Sequence, residues 1–180
     1  MGSKWGSSEG IHVGDIFACW AGPYGGQPDS DYYQVTALRG KTQVVLRPLR
    51  TERYINKGIE QGSPLSLFRE RTRPLPGQFL TADDVIVMVR YERGKEIRRT
   101  GLEVTAWVLP NRTMEGRVQL QEVRWRSAFS LTHPKDWEPW DAETVKQLEE
   151  AVHQEREDFA RRFLGEDGYV KFCKERGTLP

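Results

Sequence analysis

The feature that most constrains this chain is a series of short, alternating segments between Gly14 and Leu131, each ended by a turn. GDIFACW sets Ile16, Phe17 and Trp20 among small residues. In DYYQVTAL, Tyr33, Val35 and Ala37 share one face and Tyr32, Gln34 and Thr36 the other, because successive strand side chains point to opposite sides. After the turn Arg39-Gly40-Lys41, TQVVLRPL alternates Val44 and Leu46 against Val45 and Arg47, which reads as a hairpin. The pattern resumes in DDVIVMVRYE, where Val85, Val87 and Val89 alternate with Ile86, Met88 and Arg90. It turns at RGKE and continues through IRRTGLEVTAWVL, MEGRVQLQEVRW and SAFSL. Roughly six or seven short strands with no crossover helix between them exclude doubly wound and (β/α)-barrel architectures. They predict a mainly β protein, an antiparallel small β-barrel or strongly bent sheet.

Two regions break the pattern. Residues 51–80 contain TERYINKGIEQG, which suits a short helix around Tyr54, Ile55 and Ile59, and then a stretch interrupted by Pro74 and Pro76. Proline cannot donate to a sheet ladder, so this part reads as a long loop or edge insertion. The end of the chain is helical. Asp141 is an N-cap residue, Gly165 a stop, and Val145, Leu148, Val152, Phe159 and Phe163 form one stripe at helical spacing. GYVKFCKER beyond it suits one more helical turn. The expected organisation is a flexible lead over 1–11, a barrel-like domain over 12–140 carrying the insertion, and an amphipathic helical appendage over 141–180.

Charge is segregated along the chain, although the net is only +1. Residues 1–34 hold 1 basic and 4 acidic residues, 35–135 hold 19 and 10, and 136–180 hold 7 and 12. Arginine outnumbers lysine 19 to 8, and its planar fork suits bidentate contact with phosphate or carboxylate. Either the basic middle and acidic end neutralise one another within the fold, or they face different partners. The two cysteines, Cys19 and Cys173, form no C-x-x-C pair and read as reduced residues of a cytosolic protein. No apolar run approaches the ~18 residues of a membrane span, and MGSKWGSSEG lacks the apolar core of a signal peptide.

The chemistry-bearing residues are sparse. His12, His133 and His153 share no metal-ligand spacing, and neither G-x-S-x-G nor H-E-x-x-H occurs. Asp83 and Asp84 are adjacent and would point apart on a strand, so they read as turn-starting acids rather than nuclease ligands. No catalytic residue, metal site or cofactor is expected, and the chain reads as a binding protein rather than an enzyme. The glycine-rich GPYGGQPDSD lacks the lysine of a phosphate loop and is followed by a strand, not a helix. It is a connector that holds Tyr24 outward. Surface recognition therefore falls to arginines. RERTR spaces Arg69, Arg71 and Arg73 two apart, so an extended backbone would point all three the same way. Arg98 and Arg99 flank a strand start, and Arg124 and Arg126 straddle Trp125. Arginine interleaved with aromatics suits phosphate contact and base stacking, or an acidic protein groove. Pairing with Glu70, Glu96, Glu103 and Glu122 is the structural alternative.

GDIFACW, a Gly-rich loop, DYYQV and then VVLRPL together resemble the opening of small β-rich, SH3-like accessory proteins of phages and other mobile elements. Their pattern runs GDIF, a few small residues, W-G-Y, a polar loop and D-F/Y-Y-Q-V. PLPGQF and DWEPWD echo it more weakly, while Ala21 and the 51–73 segment depart from it, and 142–180 lies outside it. The resemblance implies a non-enzymatic protein acting in the host cytoplasm. Among such phage proteins are inhibitors of host defence, including type II anti-CRISPR proteins. On that implication the partner would be a host nuclease effector, with or without its guide RNA or DNA, since such an effector depends on motif reading and base pairing that can be blocked. A stand-alone DNA- or RNA-binding β-barrel module is the other reading.

Overall fold

A computed structural model describes residues 4–20, 31–84, 88–99, 101–124 and 127–177. The chain divides into two compact units, one formed by 1–54 with 71–138 and the other by 55–70 with 139–180.

The first unit is the barrel. Its strands are β1 (Ile16–Trp20), β2 (Asp31–Arg39), β3 (Gln43–Ile55), β4 (Glu70–Phe79), β5 (Met88–Glu92), β6 (Lys95–Arg99), β7 (Val104–Val108), β8 (Gln119–Glu122) and β9 (Ala128–Leu131). Seven of them join in the order β2-β1-β9-β8-β7-β3-β4, and β2 also pairs with β3. That last pairing closes six antiparallel strands into a barrel and leaves β4 as one extra strand beside β3. Closure removes sheet edges that would otherwise template aggregation. A register shift between Val35 and Ala37 marks a bulge in β2, which gives the strand the bend closure needs. It also ends the expected alternation: Tyr33 and Val35 face the core, whereas Ala37 is exposed.

The barrel interior is built from alternating residues of every closing strand. Phe17, Val35, Val44, Leu46, Val104, Ala106, Val108, Leu120 and Phe129 form one cluster, joined by Ile11. Phe17, Val44, Leu46, Leu120 and Phe129 are wholly inaccessible, and burying a side chain of this kind contributes about 1.5–3 kcal/mol. A second cluster of Ile16, Tyr32 and Leu49 carries Phe79 and Trp137 against it. The lead expected to be flexible over 1–11 is tied down in its described part. Gly6 N–H donates to the Val108 carbonyl (2.8 Å), Ser8 N–H to that of Lys41 (2.7 Å), and Ile11 enters the core.

The 51–80 stretch corrects two expectations. Tyr54 and Ile55 belong to no helix; they end the long strand β3, where aromatic and β-branched residues fit a pleated surface. The proline-interrupted stretch is no loop, since it forms β4, but it does lie at an edge: β4 ends the sheet order, the position in a sheet where proline is tolerated. β5 and β6 make a separate two-stranded hairpin, which leaves Val89 exposed, while Val85 and Val87 lie outside the described residues.

In the second unit, residues 55–70 and the C-terminal helix build a small core. Ile59, Leu65 and Val145 are buried, with Phe68, Trp140, Leu148 and Val152 packed against them. The wholly buried Asn56 joins the two segments: its amide donates to the Phe68 carbonyl (2.8 Å) and accepts from Trp140 N–H (2.8 Å). Helix α1 (Ala142–Glu175) starts where Asp141 accepts from Thr144 N–H (2.7 Å), as an N-cap should. Gly165, at φ 69°, leaves helical geometry and breaks α1 into two segments, the left-handed backbone that glycine takes without strain. The expected stripe is split. Val145, Leu148 and Val152 are packed, whereas Phe159 and Phe163 touch each other as a tilted pair at 4.5 Å and stay 61% and 73% exposed. The core partners supplied by 55–70 and Trp140 reach only as far as Val152.

Candidate binding groove

The outer face of the barrel carries the candidate site. In β7 the buried Val104, Ala106 and Val108 alternate with outward-facing Thr105 and Trp107. Antiparallel pairing sets Gln43 of β3 opposite Trp107 on one side and Gln121 of β8 opposite it on the other. The indole is thus flanked by two carboxamides along one cross-strand row, the spacing at which side chains interact. Trp5, from the N-terminal segment, lies parallel to Trp107 with ring centroids 5.0 Å apart and planes 10° apart. Lys4 Nζ sits 5.1 Å from the Trp5 ring centre, a cation–π contact.

Two shallow grooves meet on this face. One, of about 770 Å³, is lined by the two tryptophans, Lys4, Asn111, Gln119 and Gln121. The other, of about 450 Å³, is lined by Arg39, Arg98 and Arg124 together with Gln43, Glu103 and Thr105. Glu122 and Val123 line both, so the grooves are contiguous. Arg39 ends β2 directly across from Gln43, Arg98 comes from the separate hairpin, and Arg124 follows β8. Arg98 Nε also donates to Glu96 on its own strand.

The structure therefore gathers two of the arginines expected at a site, Arg98 and Arg124, and disperses others. Arg69, Arg71 and Arg73 do not form a common ladder. Arg69 precedes β4 at the end of a short 3₁₀ turn and belongs to the second unit. Arg71 and Arg73 share a face of β4 but are half-buried. Arg73 pairs with Glu52 and lies 5.5 Å from the ring centre of Tyr54. Arg71 lies close enough to Tyr32 and Tyr54 to pull both phenols down, though burial dominates and raises each above its ordinary pKa. Tyr24 and Arg126 lie outside the described residues, as does the side chain of Arg99.

Trp5, Trp107, Gln43, Gln121 and Arg39 were not expected at a site. The signal for Trp107 is present in VTAWV, because its parity is opposite to Val104, Ala106 and Val108. Nothing local marks Trp5, whose placement depends on the segment docking along β7.

The acids behave as structural residues. Asp84 Oδ2 accepts from the Thr81 backbone N–H (2.8 Å) and hydroxyl (2.8 Å) and pairs with Arg50, and these bonds hold its carboxyl below the usual range. Among the described residues, no group of three His, Cys, Asp or Glu is placed to hold a metal ion. No helix among them is long and apolar enough to cross a membrane. Comparison with protein-family models, curated proteins and solved structures gives no match.

Proposed function

We propose that the chain is a non-enzymatic binding module whose barrel groove contacts nucleic acid. The observation that carries this reading is the convergence of Arg39, Arg98 and Arg124, from three separate elements, on one groove that runs into the Trp5–Trp107 pair. Guanidinium forks for phosphates beside aromatic rings for bases are the ingredients of single-strand binding with little sequence preference. Glu103 and Glu122 line the same face, which leaves an excess of one positive charge among these five residues. Such a field is too weak to drive indiscriminate duplex binding, so contact depends on shape and stacking as well as charge. The test is the affinity for a labelled oligonucleotide of the wild type and of a variant with all three arginines changed to alanine. A loss of about tenfold or more at low salt is expected from the released phosphate contacts. Equal affinity contradicts the reading.

A protein-binding inhibitor of a host defence nuclease, of the type II anti-CRISPR kind, is the second reading. The exposed, adjoining Phe159 and Phe163 on the acidic C-terminal helix favour it, because exposed aromatic patches mark protein contacts. Purified type II effector with guide RNA would then form a stable complex with the chain and lose target cleavage. Phe159→Ser with Phe163→Ser would restore cleavage. An effector that neither binds nor loses activity sinks this reading.

A further inference from the structure

Resting on the nucleic-acid reading of the groove, we propose that its ligand is an unpaired base seated on the Trp107 ring, and that Trp5 is the placeholder it displaces. Trp107 is the outward aromatic of a strand inside the closed barrel, held in the cross-strand row Gln43–Trp107–Gln121. The ring therefore offers one flat face bounded by two amides, each able to donate and accept at the edge of a base. That face is covered by Trp5, parallel at 5.0 Å and 10°, which is the arrangement a stacked base would take. A duplex has its bases stacked on one another and cannot present one to a strand face, so the ligand is single-stranded. The neighbouring Arg39, Arg98 and Arg124 then serve the phosphates on one side of the seated nucleotide.

The segment that carries Trp5 is docked in a way that allows exchange. Backbone bonds from Gly6 to Val108 and from Ser8 to Lys41 tie the residues that follow Trp5 to the barrel. Displacement of the indole from Trp107 leaves both of these bonds in place. Gly6 itself sets the closeness of the approach, since a Cβ there would come within 2.5 Å of the Leu109 carbonyl oxygen. A side chain at residue 6 must push the segment away from β7 and carry Trp5 with it.

The experiment measures anisotropy of a labelled deoxythymidine oligomer and of a duplex of equal length, with wild type, Trp5→Ala, Gly6→Ala and Trp107→Ala. Thermal melts establish that each variant is folded, and Trp107→Phe keeps a ring should Trp107→Ala fail to fold. Removing the placeholder in Trp5→Ala, or lifting it in Gly6→Ala, is expected to tighten single-strand binding about threefold or more. Trp107→Ala is expected to weaken it about tenfold or more, the range for loss of one stacked base, with Trp107→Phe in between. Duplex binding stays weak throughout. If Trp5→Ala weakens binding as Trp107→Ala does, Trp5 belongs to the binding surface and the placeholder is overturned. If Trp107→Ala binds like wild type while the arginine variant does not, the base seat is overturned and the nucleic-acid reading stands. If the wild type binds neither oligomer, that reading itself falls, and this inference with it.

Discussion

Arg117 grips Asp136 through both carboxylate oxygens. Its Nη2 donates to Oδ1 at 2.7 Å and its Nη1 to Oδ2, and Nη1 also reaches the Leu131 carbonyl at 3.2 Å. His133 N–H adds a further bond to Oδ2 (2.7 Å). This clamp fixes the chain where it leaves β9 for the short 3₁₀ turn Pro134–Asp136. Burial alone would raise the Asp136 pKa, but the Arg117 and His133 bonds outweigh it and hold the carboxyl below the usual range. A depressed carboxylate contributes stability above its unfolded pKa, near 3.9, and loses it as pH falls through the lower folded value. Asp136→Asn should therefore cost about 1–3 kcal/mol at neutral pH, from the weakened charge-assisted bonds. Urea melts of wild type and variant should begin to converge as pH falls below about 4 and should meet only below the depressed folded pKa of Asp136. A gap that persists there contradicts the assignment.

Tyr169 answers to the opposite end of the scale. Its hydrogen bond with Cys173, then burial, then the Glu157 carboxylate push its phenol up to about 12. A raised pKa contributes stability that is complete below the unfolded value, about 10, and is lost as pH rises through the folded one. In an ultraviolet absorbance titration, Tyr169→Phe should remove one tyrosinate equivalent from the absorbance that develops near pH 12, with the late steps of Tyr32 and Tyr54 retained. A variant that loses its equivalent from the ordinary range near pH 10 instead would contradict the assignment.

The second unit depends on Asn56 more than on any exposed residue of 55–70. Asn56→Leu would remove its bonds to the Phe68 carbonyl and the Trp140 N–H, a loss of about 1–3 kcal/mol for each buried bond. Asp141→Ala removes the α1 cap and should cost about 1 kcal/mol. Denaturant melts of the two variants should rank in that order, and the reverse ranking would show that the Asn56 bonds do not hold the segments together.

How much of this was legible in the residues depends on whether the signal was local. Alternation in TQVVLRPL revealed a buried face because a strand inside a closed barrel has one dry side, and the same alternation lies unread in VTAWV. Asp141 marked the helix start through backbone chemistry that needs no tertiary context, whereas Gly165, read as a stop, only breaks α1, which continues to Glu175. The strand role of Tyr54 and the path of Pro74 and Pro76 depended on β3 meeting β4, a pairing invisible in either segment. The site followed the same division. Two-residue spacing places Arg71 and Arg73 on one face of β4, but β4 begins at Glu70, after Arg69. Arg39, Arg98 and Arg124 are far apart in sequence and meet only because the hairpin and two strand ends converge.

A salt series of single-strand binding tests the central claim most directly. If Arg39, Arg98 and Arg124 hold phosphates, the logarithm of affinity should fall with the logarithm of salt at a slope of about −2, near −0.7 for each contact. Changing all three arginines to alanine should flatten that slope towards zero, while Arg69→Ala, a residue that does not line the groove, should leave it unchanged. A slope untouched by the triple substitution, or no binding even at low salt, would contradict the account.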